Sequence, residues 1–218
     1  MKPLAECRLY AFVDTAYLSG RLPAEVARDL CDGGADLIQL RAKGSTPGAI
    51  QRMAETLVPI THAAGVRLVI NDHPEVARSV GAEVCHLGQE DFFDPGGTTV
   101  AHLRNPEGPT EIGLSSHAPA QALRAAASGA DYVAVGPIFP TGTKPGRPAV
   151  TLEYVRWAAA HLRLPWFAIG GITLDNLDAV LNAGATRICV VSAILNTPDV
   201  AQSCREFLRR LPTPGPGS

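Results

Sequence analysis

Lysine is scarce in this sequence. Of 19 basic residues only three, Lys2, Lys43 and Lys144, are lysines, and no basic run or tail accompanies them. With a formal net charge of −2 and a pI of about 6.3, the chain lacks the electrostatic footprint of a nucleic-acid binder. The five cysteines, at 7, 31, 85, 189 and 204, contain no C-x-x-C spacing. That argues against a disulfide framework or a zinc site, and Cys85 and Cys189 read as core thiols within apolar runs. The start, Met1-Lys-Pro-Leu-Ala-Glu6, lacks an apolar signal-peptide core, and no run reaches membrane-spanning length. A reducing cytoplasm is the expected location. What is present is 218 residues with 46% hydrophobic content, enough for one substantial core.

One pattern recurs: Gly-Ala-x followed by an apolar run. It occurs at Gly34-Ala-Asp-Leu-Ile-Gln-Leu40, Gly81-Ala-Glu-Val-Cys-His-Leu87, Gly129-Ala-Asp-Tyr-Val-Ala-Val135 and Gly184-Ala-Thr-Arg-Ile-Cys-Val190. The glycine fits the left-handed residue after a helix, and the run fits a buried strand. Each interval is too long for one βα unit and suits two. Four further strands fill the gaps: Cys7–Val13, Val66–Ile70, Thr110–Gly113 and Leu164–Ile169. Helices are expected over about 23–33, 48–64, 74–80, 118–128, 151–161, 174–182 and 198–210, with a loop at Phe92–Gly97 and a short helix near 98–104 between strands 4 and 5. Eight alternating βα units in one domain predict a (β/α)8 barrel of the TIM type over residues 1–211, with a doubly wound sheet as the alternative. Residues 212–218, Pro-Thr-Pro-Gly-Pro-Gly-Ser, are expected to form a disordered tail.

In such barrels the site lies at the C-terminal ends of the strands. Those ends carry Gln39-Leu-Arg-Ala-Lys43, Asn71-Asp-His73, His86-Leu-Gly-Gln-Glu-Asp91, Ser115-Ser-His117, Thr141-Gly-Thr-Lys144, Gly170-Gly-Ile-Thr173 and Val191-Ser192. Lys43 and Lys144 therefore look like paired cations awaiting an anion. Gly170-Gly171 with Ser192, after strands 7 and 8, suits a phosphate, although Gly-Gly alone is equally a tight turn. Asp72 and Asp91, on neighbouring strand ends, are hard ligands that favour Mg²⁺ over zinc. Each taken singly also serves as a helix cap or loop acid.

These motifs, with Gly113-Leu-Ser-Ser-His117, Tyr132-Val-Ala-Val-Gly-Pro-Ile-Phe-Pro-Thr-Gly-Thr-Lys144, Ala168-Ile-Gly-Gly-Ile-Thr173 and Val190-Val-Ser-Ala-Ile194, run in one order over roughly residues 8 to 210. In that order the sequence resembles the thiamine-phosphate synthase (thiamine-phosphate pyrophosphorylase) family. The resemblance implies a barrel transferase that joins two small-molecule substrates with Mg²⁺. The nitrogen of 4-methyl-5-(2-phosphoethyl)thiazole, or of its carboxylated form, displaces pyrophosphate from 4-amino-2-methyl-5-pyrimidinylmethyl diphosphate. It implies that Gln39, Arg41, Lys43, Asn71, Ser115 and Lys144 hold the pyrimidine diphosphate, with Arg41, Lys43, Ser115 and Lys144 acting in catalysis. Asp72 and Asp91 would bind Mg²⁺, and Thr141, Gly142, Thr143, Gly171, Val191 and Ser192 would hold the thiazole phosphate.

Ala42 stands where the family often has an acid, His73 where Asp or Arg is common, Gly142 sits at a variable spot, and 92–99 is unusually glycine-rich. On the residues alone, His86 reads as a hydrogen-bonded interior histidine, and His117 as either a helix cap or a site residue. Trp157, Trp166 and Phe167 read as packing. Prolines 137, 140 and 145 stiffen the loop after strand 6 while Gly142 and Gly146 leave it hinges, which suits a lid. A thiazole tautomerase would need a histidine base and no diphosphate set, a sugar-phosphate epimerase would explain only the phosphate site, and a non-enzymatic binder could dispense with the acid pair. The oligomeric state, a homo-oligomer included, is left open. If these roles hold, Asp72→Ala and Lys144→Ala each keep the circular-dichroism spectrum and melting profile of the parent but lose turnover steeply; unchanged turnover in both would overturn them.

Overall fold

The computed structural model describes residues 1–104, 110–141 and 149–213. Within them eight parallel strands close into a barrel in chain order, each paired with its sequence neighbour and the last with the first. The strands are β1 (Leu9–Asp14), β2 (Leu37–Arg41), β3 (Arg67–Asn71), β4 (Val84–Leu87), β5 (Glu111–Ser116), β6 (Tyr132–Val135), β7 (Trp166–Ile169) and β8 (Ile188–Cys189). The barrel expectation holds and the doubly wound alternative falls. Expected strand positions hold to within a few residues. The largest departure is β5, which runs on to Ser116 and so carries Ser115 within the ladder rather than after it.

Around the barrel lie α1 (Pro23–Asp32), α2 (Pro47–Ala63), α3 (Pro74–Val80), α4 (Gln89–Phe93), α5 (Pro119–Ala127), α6 (Thr151–His161), α7 (Leu177–Asn182), α8 (Ser192–Leu195) and α9 (Val200–Arg210). Four of them open on proline, whose missing N–H costs nothing in a first turn and whose fixed φ already fits a helix. Three details differ from expectation. Helix α4 takes up Phe92 and Phe93, which were expected in a loop, and the short helix after them is a single 3-10 turn at Ala101–Leu103. Helix α7 begins three residues late because Leu174–Asn176 form its entry turn. Helix α8 follows β8 directly and had no sequence signal of its own. Most of the expected tail, 214–218, lies outside the described residues. Among the described residues no helix is long and apolar enough to cross a membrane.

The repeat is explained at the bottom of the barrel. Gly34, Gly81, Gly129 and Gly184 all have positive φ, between 70° and 103°. Two residues after three of them stands an acid, and each acid accepts backbone N–H bonds from the preceding strand. Asp36 bonds the amides of Arg8 (2.8 Å) and Leu9 (3.1 Å) at the start of β1. Glu83 bonds Leu68 of β3 (2.9 Å), and Asp131 bonds Ile112 of β5 (2.6 Å). Charge-assisted bonds of this kind satisfy donors that a parallel ladder leaves open at its end. Lys2, a lysine without a place in the site, pairs with Asp36 at 2.5 Å on this lower face.

Inside the barrel a second core sits apart from the shell between strands and helices. Leu4 closes the bottom, and Leu37, Val69 and Val84 fill the next level. Above them Tyr10, Tyr132 and Phe167 meet edge to face, with ring centroids 5.5–6.0 Å apart and planes at 70–82°. That geometry matches the ring quadrupoles and adds to what area burial supplies. Room for Tyr132 comes from Gly113 on the neighbouring strand: a Cβ there would fall inside the tyrosine ring. Gly113→Ala therefore overpacks a layer that cannot retreat, and its urea midpoint should correspond to a loss of about 3 kcal/mol; a parental midpoint would refute this account of the barrel interior.

Candidate active site

Tyr10, of the three-ring layer, lies at the floor of an open cavity at the C-terminal ends of the strands. Of the residues chosen from sequence, Gln39, Arg41, Asn71 and Ser115 line it from β2, β3 and β5. Thr141, Gly171, Val191 and Ser192 line it from the segments after β6, β7 and β8. Lys43, Asp72 and Asp91 stand outside this cavity, and Asp72 and Asp91 border an adjoining open pocket with Leu87 and Phe92. Gly142, Thr143 and Lys144 lie outside the described residues, so the lid reading and the pairing of Lys144 with Lys43 do too.

Arg41 is fixed by a residue that sequence reading passed over. Its Nη1 donates to Asp14 Oδ2 at 2.7 Å, and Asp14, the last residue of β1, is 1% exposed. The other carboxylate oxygen accepts from the Ala16 amide at 3.0 Å, which locks the carboxylate. The signal was available: Asp14 is the polar residue that ends the apolar run Leu9–Val13, in the position where every other strand supplied a candidate. Beside it, Ala42 is buried in the shell core.

At the rim, Lys43 forms an ion pair with Asp72, and Asn71 Nδ2 donates to the same Asp72 oxygen at 2.6 Å. Asp72 has φ +64°, a left-handed conformation held by its amide bond to His86 O at 2.8 Å. A non-glycine residue there costs on the order of 1 kcal/mol and recurs at functional positions. Asp91 caps α4 through Gly88 N at 3.2 Å. Partial burial, and next the charge of Asp72, push its carboxyl above the ordinary range. A carboxylate whose proton affinity is raised by a neighbouring carboxylate is suited to share a cation with it. Among the described residues no group of three or more His, Cys, Asp or Glu side chains could hold a metal. The hard carboxylate oxygens of Asp72 and Asp91 are donors of the kind an ion such as Mg²⁺ takes, with waters and phosphate oxygens supplying the rest of its shell.

On the opposite wall the glycines have an added duty. Phe139 N bonds Gly170 O at 3.0 Å and Ile138 N bonds Ile169 O at 2.8 Å, so the loop after β6 lies on the loop after β7. A Cβ on Gly171 would come within 2.7 Å of Pro140 O and 2.8 Å of Phe139 Cβ. The Gly-Gly pair thus lets two loops pack, while Gly171 still faces the cavity. Asn176 holds that peptide, donating to Gly171 O at 2.8 Å and accepting from Thr173 N at 2.9 Å. Below α8, Arg21 donates to the last carbonyl of that helix, Leu195 O, at 2.6 Å. Arg21 had no sequence signal, since Leu195 is brought near it only by the fold; Asn176, whose partners lie three and five residues before it, was passed over.

The histidines resolve. His117 lines the cavity and does not cap α5; its Nδ1 bonds Gly136 O, and its amide donates to Gln121 Oε1 at 2.7 Å. His86 is a buried, hydrogen-bonded interior residue, and it too reaches the cavity. Trp166 and Phe167 pack in the two cores, and Trp157 stacks on His161.

Fold and site together define a (β/α)8-barrel enzyme whose polar groups meet at the C-terminal mouth, with a cation-bearing wall facing a glycine-rich one. A family model described as thiamine monophosphate synthase matches residues 9–194. A thiamine-phosphate synthase of Thermus thermophilus is 47% identical over 180 residues, 82% of this chain and 84% of its own length. One from Acidothermus cellulolyticus is 43% identical over 210 residues, 95% of this chain and 96% of that protein. A solved thiamine phosphate pyrophosphorylase from Pyrococcus furiosus superposes with a TM-score of 0.80 at 28% identity, covering 94% of this chain and 96% of that one. The chain belongs to the thiamine-phosphate synthase family of transferases.

Removing the partner of Arg41 tests the wall directly. Asp14→Asn leaves a half-buried guanidinium without its counter-charge, so unfolding free energy should fall by about 3 kcal/mol. Turnover should fall with it, because the guanidinium is no longer aimed; parental stability and turnover together would show the pair to be incidental.

Proposed function

We propose that the enzyme condenses 4-amino-2-methyl-5-pyrimidinylmethyl diphosphate with 4-methyl-5-(2-phosphoethyl)thiazole, or its carboxylated form, to give thiamine phosphate and pyrophosphate. The observation that carries this reading is the partition of one cavity. Gln39, Arg41, Asn71 and Ser115 face Thr141, Gly171, Val191 and Ser192 across it, which is the arrangement needed to hold two different phosphorylated heterocycles with their reacting atoms between them.

On this reading the amide of Gln39 and the side chain of Asn71 orient the pyrimidine diphosphate, and Ser115 donates its hydroxyl to it. Arg41, aimed by Asp14, and Lys43 and Lys144 counter the negative charge that builds as pyrophosphate departs. Asp72 and Asp91 hold Mg²⁺, which neutralises diphosphate oxygens when bound. The aminopyrimidine delocalises the positive charge left on its methylene carbon, so no protein nucleophile is required. Thr141, Gly142, Thr143, Gly171, Val191 and Ser192 hold the thiazole phosphate and bring the ring nitrogen to the methylene. Holding both partners at contact distance converts a bimolecular encounter into an effectively unimolecular step. Both substrates are small and water-soluble, and the reading places the reaction in the cytoplasm.

Purified protein incubated with both heterocyclic phosphates and Mg²⁺ should release thiamine phosphate and pyrophosphate in equal amounts, and EDTA should abolish both. Binding of the thiazole phosphate without any coupled product would overturn the synthase reading and favour a tautomerase or a binding protein.

A further inference from the structure

Five side chains from five strands form one hydrogen-bonded chain across the floor of the cavity. Gln39 Nε2 donates to Tyr10 Oη at 2.5 Å. Tyr10 Oη lies 3.0 Å from Tyr132 Oη, and Tyr132 Oη lies 3.0 Å from His86 Nδ1. His86 Nε2 lies 3.0 Å from Ser115 Oγ. The two phenols are fully buried, and Gln39, His86 and Ser115 are each less than 9% exposed. Phe167, the third ring of the layer, offers no polar atom.

The direction of this chain follows from counting protons. A carboxamide nitrogen can only donate, so Tyr10 oxygen accepts from Gln39. Its own proton then goes to Tyr132, the hydroxyl within reach. Tyr132, having accepted, donates to His86 Nδ1, which must be the bare nitrogen of a neutral ring. The ring proton therefore sits on Nε2 and is given to Ser115 Oγ. Ser115 accepts from below, and its hydroxyl proton is left to point up into the cavity. Burial keeps both phenols protonated, so the two links that depend on them persist. The Ser115 backbone is held as well: Gln89 Nε2 donates to Ser115 O at 2.5 Å.

We infer that Tyr10, Tyr132 and His86 are positioning residues which hold the Ser115 hydroxyl as a hydrogen-bond donor toward the leaving diphosphate. This rests on the assignment of Ser115 to the pyrimidine diphosphate. A serine hydroxyl is otherwise free to rotate and to accept from its neighbours. Fixing it as a donor before substrate arrives removes a reorganisation that the reaction would otherwise have to make. The same chain explains why two tyrosines occupy a layer that phenylalanine would fill equally well by volume.

The test combines a tautomer measurement with a double-mutant cycle. In full-length protein labelled with [15N]histidine, long-range proton–nitrogen correlation reads the His86 ring, assigned by loss of its signals in His86→Gln. The expected form is neutral with its proton on Nε2. Tyr132→Phe should keep the fold, since it only removes an oxygen. It should lower kcat by about fivefold, the worth of one hydrogen bond, with KM for the thiazole phosphate unchanged. In a Ser115→Ala background the same substitution should change kcat by less than about twofold, because the end of the chain is gone. A proton on His86 Nδ1, or equal losses in both backgrounds, would overturn the inference. Ser115→Ala with undiminished kcat would also overturn it. The tautomer then tells which part failed: an Nε2 proton leaves the chain's direction standing and removes only the role given to Ser115.

Discussion

Tyr10, Tyr132 and Phe167 meet in the middle of the barrel, and the contact divides the molecule into two regions with different chemistry. Below the rings the interior is aliphatic and closed by Leu4. Above them the interior opens into the cavity, where polar side chains such as Gln39, Asn71 and Ser115 join apolar ones such as Phe12, Ile169 and Val190. Three large rings fill the width of the barrel at one level only because Gly113 gives way to one of them. Of these rings Tyr10 borders the cavity, and Tyr132 reaches its lining through the hydrogen bond to His86.

The cations of the site contrast with a chain whose net charge is near zero. Arg41 is tied to a buried acid inside the cavity wall, while Lys43 is paired with a carboxylate at the rim. The first arrangement fixes direction, since a guanidinium held on one side by a carboxylate presents its remaining N–H groups in a set plane. The second is exchangeable, since a divalent ion on Asp72 and Asp91 would displace the ammonium from Asp72 and free it for phosphate oxygens. One wall is thus preorganised, whereas the rim pair is the one that a bound divalent ion would rearrange.

Much of this was legible in the sequence because the barrel is built from local signals. The glycine after each helix, the apolar run after it and the polar residue at the end of each strand are all neighbours in the chain. Most of the chosen side chains duly reach one cavity. What could not be read depends on which strands face each other across the interior. Tyr10 and Tyr132 are 122 residues apart and pass individually for strand hydrophobics; their hydroxyls acquire meaning only at 3.0 Å. The acids of the repeat were visible, but their backbone partners on the preceding strand were not. Gly170 and Gly171 read as room for an anion, and the fold shows that part of this room is taken by the loop after β6. Helix α8, at four residues, is too short for periodicity to reveal.

The carboxylates that fasten β1, β3 and β5 have no fourth counterpart. Thr186 stands where the repeat would place an acid before β8, and β8 is only two residues long. By the pattern of the other three, the missing carboxylate would have served β7, whose ladder to β8 has only two residue pairs. Loosening of the barrel is therefore expected at the β7–β8 seam, beside Gly171, Val191 and Ser192. Gln39, Arg41, Asn71 and Ser115 stand away from that seam, so one wall of the cavity rests on longer ladders and the other lies beside the two-pair ladders of β8, a built-in asymmetry between its two sides.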